Sequence, residues 1–353
     1  MAAVEANSAK GGIMIRIGLI GAGTMGRWYA WVFKEYDGAE LVAVCDLDTR
    51  KAQAVSAESG GKVYEDYATM LKKEKLDAVA VATPDKFHRE PVVACLEAGK
   101  DVLCEKPLCT TLEDGLAMKE AAKTSGKQLM VNFGNRHRPR GKRLKELLAD
   151  RKNIGEIATV YIELNERLGK TATLAWAGET SPVWFLISHC VDYVRFTTGL
   201  EITEIFGYET KKVLVSQGFD TSDTAIFVGR LSNGGHLFIG SSWAYPEDYT
   251  HDIDFPMRVI GTDGLIECQM HPWDMMLHSG KGGGHVVNYS YNYRDYRGHK
   301  EDWWSQSTRY FLHCIESDEH ATPDVDDGLA CLKVLLAMDE SVRTGKAVRI
   351  TGG

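Results

Sequence analysis

Two folding units are expected: a doubly wound parallel α/β sheet, then an α+β unit built on an open, mainly antiparallel sheet. Three observations lead there. A β-rich run, Ile15 to Ile20, flows into Gly21-Ala22-Gly23-Thr24-Met25-Gly26 and a stretch of helical spacing that ends at Tyr36. Strand-like and helix-like segments then alternate as far as Phe133, the pattern of a parallel sheet with crossover helices. Beyond Asn135 the period changes. Ala158, Val160, Ile162 and Leu164 alternate with Thr159, Tyr161, Glu163 and Asn165, as along a strand with one buried face. The chain therefore divides into a small, polar leader (1–13), a first unit (14–134) and a second unit (135–353).

The glycine loop lies between a strand and a helix, where a dinucleotide-binding Rossmann fingerprint belongs; an ordinary tight turn is the alternative. In the fingerprint Gly21 allows the turn, Gly23 lets the backbone approach a pyrophosphate and Gly26 lets the helix pack on the strand. Ala22, Thr24 and Met25 complete the loop at the helix amino terminus, which faces the phosphates. The run Glu40 to Cys45 is a second strand and ends on Asp46, twenty positions beyond Gly26. A carboxylate there accepts from the adenosine ribose and repels a 2′-phosphate, so NAD is expected over NADP, although Arg50 nearby leaves room for a phosphate.

Helices over Thr49 to Glu58 and Tyr67 to Lys73 precede a strand, Asp77 to Ala82, that runs into Thr83-Pro84-Asp85. Helix His88 to Ala98 stops at Gly99, strand Asp101 to Cys104 delivers Glu105-Lys106-Pro107, helix Leu112 to Thr124 stops at Gly126, and strand Gln128 to Phe133 closes the unit. Ligands of such sheets bind beyond the carboxyl ends of the strands. Gly23, Asp46, Thr83 and Lys106 all fall there, and Pro84, His88 and Glu105 join them as expected cofactor neighbours. In the second unit we expect helices over Arg143 to Leu148 and Pro182 to Thr198. Hairpins are expected around Asn233-Gly234 and Gly261-Thr262-Asp263-Gly264, and a long helix over Asp326 to Thr344 before a strand to Thr351.

Composition narrows the function. With 353 residues, 44% apolar content and a formal charge of −8, the chain reads as a soluble two-domain protein. The basic run Arg136 to Arg143 is too short for a nucleic-acid surface, and a small-molecule ligand is expected instead. No apolar run reaches membrane-spanning length and residues 1–12 lack the core of a signal peptide, so a cytoplasmic protein is expected. Eight scattered cysteines without a CxxC pair suggest buried thiols in a reducing compartment. His271, His278 and His285 are seven apart, too far for a metal pair on one helix, and no metal is expected.

The glycine loop, Asp46, Glu105-Lys106-Pro107, Gly134-Asn135-Arg136 and Ser188-His189-Cys190-Val191-Asp192 together make the chain resemble the Gfo/Idh/MocA oxidoreductase family. The resemblance runs from about Ile15 to Ile350 and includes the tail motifs Asp327-Gly328-Leu329 and Arg343-Thr344-Gly345. It implies NAD(P)-dependent oxidation or reduction at a carbinol or ketone carbon of a sugar, cyclitol or glycoside, and dimers or tetramers formed through the open sheet. Lys106 matches the family's catalytic lysine and His189 the histidine closing its DxxxH motif, while Phe185 stands where the family commonly has Asp. Asn135, Arg136, His137, Glu163, Trp176 and Phe185 are the further substrate-contact candidates beside Lys106 and His189. A lysine becomes a base near neutrality only if its pKa, ordinarily about 10.4, is lowered by roughly three units. Two other functions remain open: an NAD-dependent glycosidase acting by transient oxidation and elimination, and a dinucleotide sensor without catalysis.

Overall fold

Short runs of Val, Ile, Leu and Ala that are buried on both faces have no polar side to offer solvent, and such strands assemble as parallel sheets covered by helices. In this computed structural model, which describes residues 14–169, 177–249, 253–269, 275–279, 284–287, 295–296, 299–300 and 303–351, five of them and a half-exposed edge strand form the first sheet. They are β1 (Ile15–Ile20), β2 (Ala39–Cys45), β3 (Lys62–Tyr64), β4 (Ala78–Val81), β5 (Asp101–Cys104) and β6 (Leu129–Val131). The order is β3-β2-β1-β4-β5-β6, and every neighbouring pair is parallel. The strand order reverses between β1 and β4, which makes the carboxyl end of that pair the switch point at which such sheets bind ligands.

The helices begin where their capping chemistry places them. Asp48, Asp66, Thr111 and Asp324 each accept a hydrogen bond from a backbone N–H in the first turn that follows. The helix after the glycine loop, Thr24–Glu35, has no such side chain, because its cap residue is Gly23.

The second sheet is built on β7 (Ile157–Arg167) and contains β8 (Ile202–Thr210), β9 (Thr224–Leu231), β10 (His236–Tyr245), β11 (Ile253–Asp254), β12 (Pro256–Gly261), β13 (Gly264–Gln269), β14 (Met275–Ser279) and β15 (Gly284–Val287). It is antiparallel except between β7 and β10, which run side by side in the same direction. Two residues pair apart, as β16 (Asp295–Tyr296) with β17 (His299–Lys300), and the final strand β18 (Val348–Arg349) closes the β8 edge. One face of the sheet is packed against the helix Ser188–Thr198 through Val160, Ile162, Leu164, Leu237 and Ile239. The other is open and apolar: Tyr161, Phe238, Val228 and Phe206 lie in register across β7, β10, β9 and β8.

Two parts of the chain depart from expectation. The segment before His189 is not one α-helix from Pro182: Val183–Ile187 is a π-helical turn, and the α-helix begins at Ser188. The helix Trp303–Ser317, which no periodicity marked, crosses back to the first sheet. There Phe311, Leu312 and Cys314 share a core with Ile15, Ile17, Tyr29 and Phe33. The helix Val325–Thr344 then lies close to β6, where a Cβ on Gly328 would come within 2.9 Å of Val131.

Candidate active site

The glycine loop has the shape a dinucleotide requires. Gly21 takes φ +95°, and a Cβ there would stand 2.5 Å from the carbonyl oxygen of Ala82 on the neighbouring strand end. A Cβ on Gly26 would collide with the Gly21 carbonyl. At Gly23 a Cβ would meet nothing within 4 Å, so the outer side of the loop is open to a pyrophosphate. Asp46 closes the loop from β2: its Oδ2 accepts from Ala22 N (2.7 Å) and its Oδ1 from Asp48 N (2.8 Å). Both bonds orient the carboxylate at the edge where an adenosine ribose would lie. These residues fit NAD.

Thr83 and Pro84 follow β4, and Thr83 Oγ1 donates to Phe87 O at 3.1 Å. His88 and Glu105, expected beside the cofactor, are enclosed instead. The ring nitrogens of His88 lie 2.8 Å from Thr83 O and 3.0 Å from Pro107 O, stitching the loop after β4 to the loop after β5. Glu105 accepts from Tyr29 OH, from Asn132 Nδ2 (2.8 Å) and, on its other oxygen, from Lys106 N (3.1 Å). Asn132 in turn accepts from Ser307 Oγ. The Glu-Lys-Pro segment is thus fixed by a buried network, with a cis bond between Lys106 and Pro107.

Lys106 is 9% exposed. Its Nζ donates to Phe185 O at 2.7 Å and lies 4.2 Å from the centre of the Phe185 ring. Burial lowers its pKa, opposed by the charges of Asp85, Glu105 and Glu166. On the same side, the Phe185 ring packs on Trp243 at 5.5 Å between centroids. Trp243 Nε1 donates to Glu166 Oε2 at 3.1 Å. His189 is the next group of the cleft. Asn135 Nδ2 stands 3.4 Å from its Nδ1. Burial, then Lys106 and Arg138, hold the ring well below the usual histidine pKa and therefore neutral.

Three of the expected substrate contacts have other partners within the fold. From the turn Gly134–His137, Asn135 reaches His189. Arg136 turns the other way and is spent on two carboxylates: its Nη2 donates to Asp192 (2.6 Å) and Asp327 (2.9 Å), with Nε and Nη1 completing both pairs. A buried guanidinium paired with two carboxylates in this manner has most of its donors engaged within the fold. His137 packs on Tyr310, ring centroids 4.5 Å apart, against the helix that returns to the first sheet. Glu163 lies on the open face of β7 with Tyr161 and Phe238, whereas Lys106 approaches the packed face, so the strand's alternation separates them. Trp176 lies outside the described residues, as does His271.

The residues missed were Asp85 and Glu166. Asp85 follows Thr83-Pro84 at the strand end and is 7% exposed. Glu166 had a legible signal. Continuing the alternation of Val160, Ile162 and Leu164 by two residues puts it on the packed face, where it is 5% exposed. Among the described residues no cluster of His, Cys, Asp and Glu suits a metal ion.

A fingerprint loop, a ribose-edge carboxylate and an enclosed lysine at one sheet edge describe a nicotinamide oxidoreductase. The sequence profile described as "Oxidoreductase family, NAD-binding Rossmann fold" matches residues 15–133, and that of the GFO/IDH/MocA C-terminal domain matches residues 142–267. The chain belongs to the Gfo/Idh/MocA oxidoreductases. It is 32% identical to an inositol 2-dehydrogenase of Rhodococcus erythropolis over 262 residues, 71% of this chain and 73% of that one. It is 26% identical to the D-glucoside 3-dehydrogenase of Escherichia coli over 251 residues, 65% of this chain and 70% of that one. In fold it matches scyllo-inositol dehydrogenase from Lactobacillus casei, solved with NAD(H) and scyllo-inositol, at a TM-score of 0.80 and 20% identity, covering 96% of this chain and all of that one. As a Gfo/Idh/MocA enzyme the protein is an NAD-dependent dehydrogenase acting on CH–OH groups. No helix among its described residues is long and apolar enough to cross a membrane.

Proposed function

We propose that the protein oxidises a secondary carbinol of a cyclitol, sugar or glycoside, with Lys106 as the proton acceptor and His189 as the hydrogen-bond donor that holds the reacting oxygen. The observation that carries this reading is the state of Lys106: an amine enclosed at the carboxyl end of β5, its pKa lowered by burial, with its Nζ aimed at the helix that bears His189. Bound NAD supplies the hydride acceptor. The chain's own residues do the rest. Gly23 and the amino terminus of Thr24–Glu35 take the pyrophosphate and Asp46 the ribose. The Tyr29–Glu105–Asn132 network keeps Lys106 from drifting, and neutral His189 offers its ring N–H to the substrate oxygen. Positioned proton transfer of this kind typically contributes about a hundredfold or more to rate.

Phe185 refines the substrate class. A ring beside Lys106, where the family commonly has Asp, removes one acceptor for a hydroxyl and offers an apolar face. Glycosides and less hydroxylated diols should therefore be preferred to free inositols. A panel of inositols, free sugars and aryl glycosides with NAD, read by absorbance of the reduced cofactor, tests the class. Phe185→Asp should lower kcat/KM for aryl glycosides relative to inositols by about tenfold, on the scale of one lost or gained pocket contact. An unchanged ratio in Phe185→Asp and Phe185→Ala removes Phe185 from the substrate site.

The protein is further read as a homodimer or homotetramer of the cytoplasm. The support for assembly is the open face of the second sheet, where Tyr161, Tyr208, Ile226 and Val228 are 42–60% exposed. The eight buried thiols suit a reducing compartment.

A further inference from the structure

Asp85 opens the short turn Asp85–Phe87 directly after Pro84. Its carboxylate is 7% exposed, and Oδ2 has no hydrogen-bond partner among the described residues. The backbone brings its loop beside the loop of Lys106. Val81 of β4 is in register with Cys104 of β5, and Glu105 N donates to Val81 O at 2.9 Å, so the two loops leave the sheet side by side. His88, three residues after Asp85, then ties Thr83 to Pro107 through its ring nitrogens. Asp85 and Lys106 are thus both buried on loops that leave adjacent strand ends and are tied together by His88.

The groups that face Lys106 can be named element by element. They are Asp85 from the loop after β4, Glu105 from its own loop, Glu166 from β7, His189 and Phe185 from the segment 183–198, and Cys331 from the C-terminal helix. Around Asp85 itself stand Lys106, His88 and Glu105. Glu105 is taken up by Tyr29, Asn132 and Lys106 N, and Glu166 holds Trp243 Nε1. Asp85 Oδ2 has no hydrogen-bond partner among the described residues, and the charge of Asp85 raises the pKa of Lys106 more than theirs do. A buried carboxylate destabilises a fold unless its charge is matched, and the cation beside it is the reacting amine.

We propose that Asp85 is the positioning counter-charge of Lys106, stabilising the ammonium that forms when the lysine takes the substrate's proton and so setting the pH range over which the lysine works. The inference rests on reading Lys106 as the proton acceptor. In the oxidation the alcohol O–H bond breaks and an N–H bond forms on Lys106, while the electron pair of the C–H bond leaves as hydride to NAD. Lys106 thus passes from neutral to charged as the nicotinamide passes from oxidised to reduced. Burial alone opposes that change, and a buried carboxylate on the adjacent loop favours it.

The test is Asp85→Asn, which keeps the shape and removes the charge, with Asp85→Ser carrying the same measurements should the first variant not fold. In cofactor-free enzyme the titration of Lys106 is followed by NMR of 13C-labelled lysine, its signal assigned with Lys106→Arg; in the complete reaction the pH profile of kcat/KM is recorded. We expect the Lys106 midpoint and the pH-profile limb to move together to lower pH by about one unit or more. Plateau turnover should fall about tenfold, with the Kd for NAD changed less than twofold. A folded variant in which neither midpoint nor limb moves overturns the proposal, as does a raised Kd for NAD without a pH shift, which would assign Asp85 to the cofactor. An active Lys106→Ala enzyme would overturn the reading of Lys106 itself. An inactive one, combined with an unmoved midpoint in Asp85→Asn, overturns only the role of Asp85.

Discussion

In the proposed reaction a single amine takes the proton, and its usefulness comes from where its neighbours spend their hydrogen bonds. Glu105, adjacent in sequence, is consumed by Tyr29, Asn132 and the Lys106 backbone, so the family's Glu-Lys-Pro motif acts here as one fixed acid that aims one base. Lys106→Ala should lower turnover at least about a hundredfold while leaving the Kd for NAD within twofold. Isothermal titration beside steady-state kinetics separates the two effects, and retained turnover would move the proton to another group. Asp46 invites a second residue-scale prediction. With both oxygens already bonded to loop N–H groups, its charge is oriented toward the ribose edge. Asp46→Ala should reduce the ratio of kcat/KM for NAD over NADP by about tenfold, equivalent to about 1.4 kcal/mol of lost discrimination. An unaltered ratio would assign ribose reading elsewhere.

At the scale of elements, the turn Gly134–His137 shows how four consecutive residues serve different parts of the molecule. Asn135 orients His189, Arg136 joins Asp192 of the His189 helix to Asp327 of the C-terminal helix, and His137 seals the helix Trp303–Ser317 against the turn. Burial first, then the cations Lys142 and Arg136, push the pKa of His137 down to about 3. In the unfolded chain it returns to about 6.5. The folded value is depressed, so the unfolded state binds a proton first. Stability is intact above pH 6.5 and is lost as pH falls from there toward 3. At pH 5 that loss is about 2 kcal/mol. His137→Phe, which keeps a ring against Tyr310, should lose correspondingly less stability between pH 7 and pH 5 in urea unfolding. Equal losses in variant and parent would mean that other groups govern the acid limb.

For the whole molecule, the two faces of the second sheet divide the work. The packed face carries Ile162, Leu164, Glu166 and Trp243 toward the helix 188–198 and the site, while the open face presents Tyr161, Val228, Ile226 and Tyr208. A flat, in-register apolar face on strands is a surface that a second copy covers well. Val228→Glu combined with Ile226→Glu should shift the enzyme to a monomer in light scattering without altering the Kd for NAD, because both positions lie on the face away from the first sheet's switch point. A variant that keeps the parent's mass would place the interface elsewhere.

The local chain was enough to establish the first sheet and its ligand edge. A fingerprint loop, strand-end Asp46 and Lys106, and cap residues such as Asp66 and Thr111 act through neighbours a few positions away, and the strand Asp101–Cys104 and helix Tyr67–Lys73 emerge with their expected ends. Short-range periodicity also carried the β9–β10 hairpin, but not β8 or the helix Trp303–Ser317, whose burial is created by partners far along the chain: β9 and β18 for β8, and Tyr29 and Phe33 for that helix. The same distance in sequence explains the site residues that went astray. Arg136 reads as a substrate contact in sequence because nothing near it announces Asp192 or Asp327, and Asp85 gives no signal because its relation to Lys106 exists only where two adjacent strands end together. Phe185 and His189 stand four apart, yet a π turn spaces them differently from an α-helix, and it is the Phe185 carbonyl that receives Lys106. Local propensity and spacing determine which elements form and which strand ends can bind a dinucleotide; burial and charge pairing across long loops determine which polar groups are consumed by the fold and which are left to the chemistry.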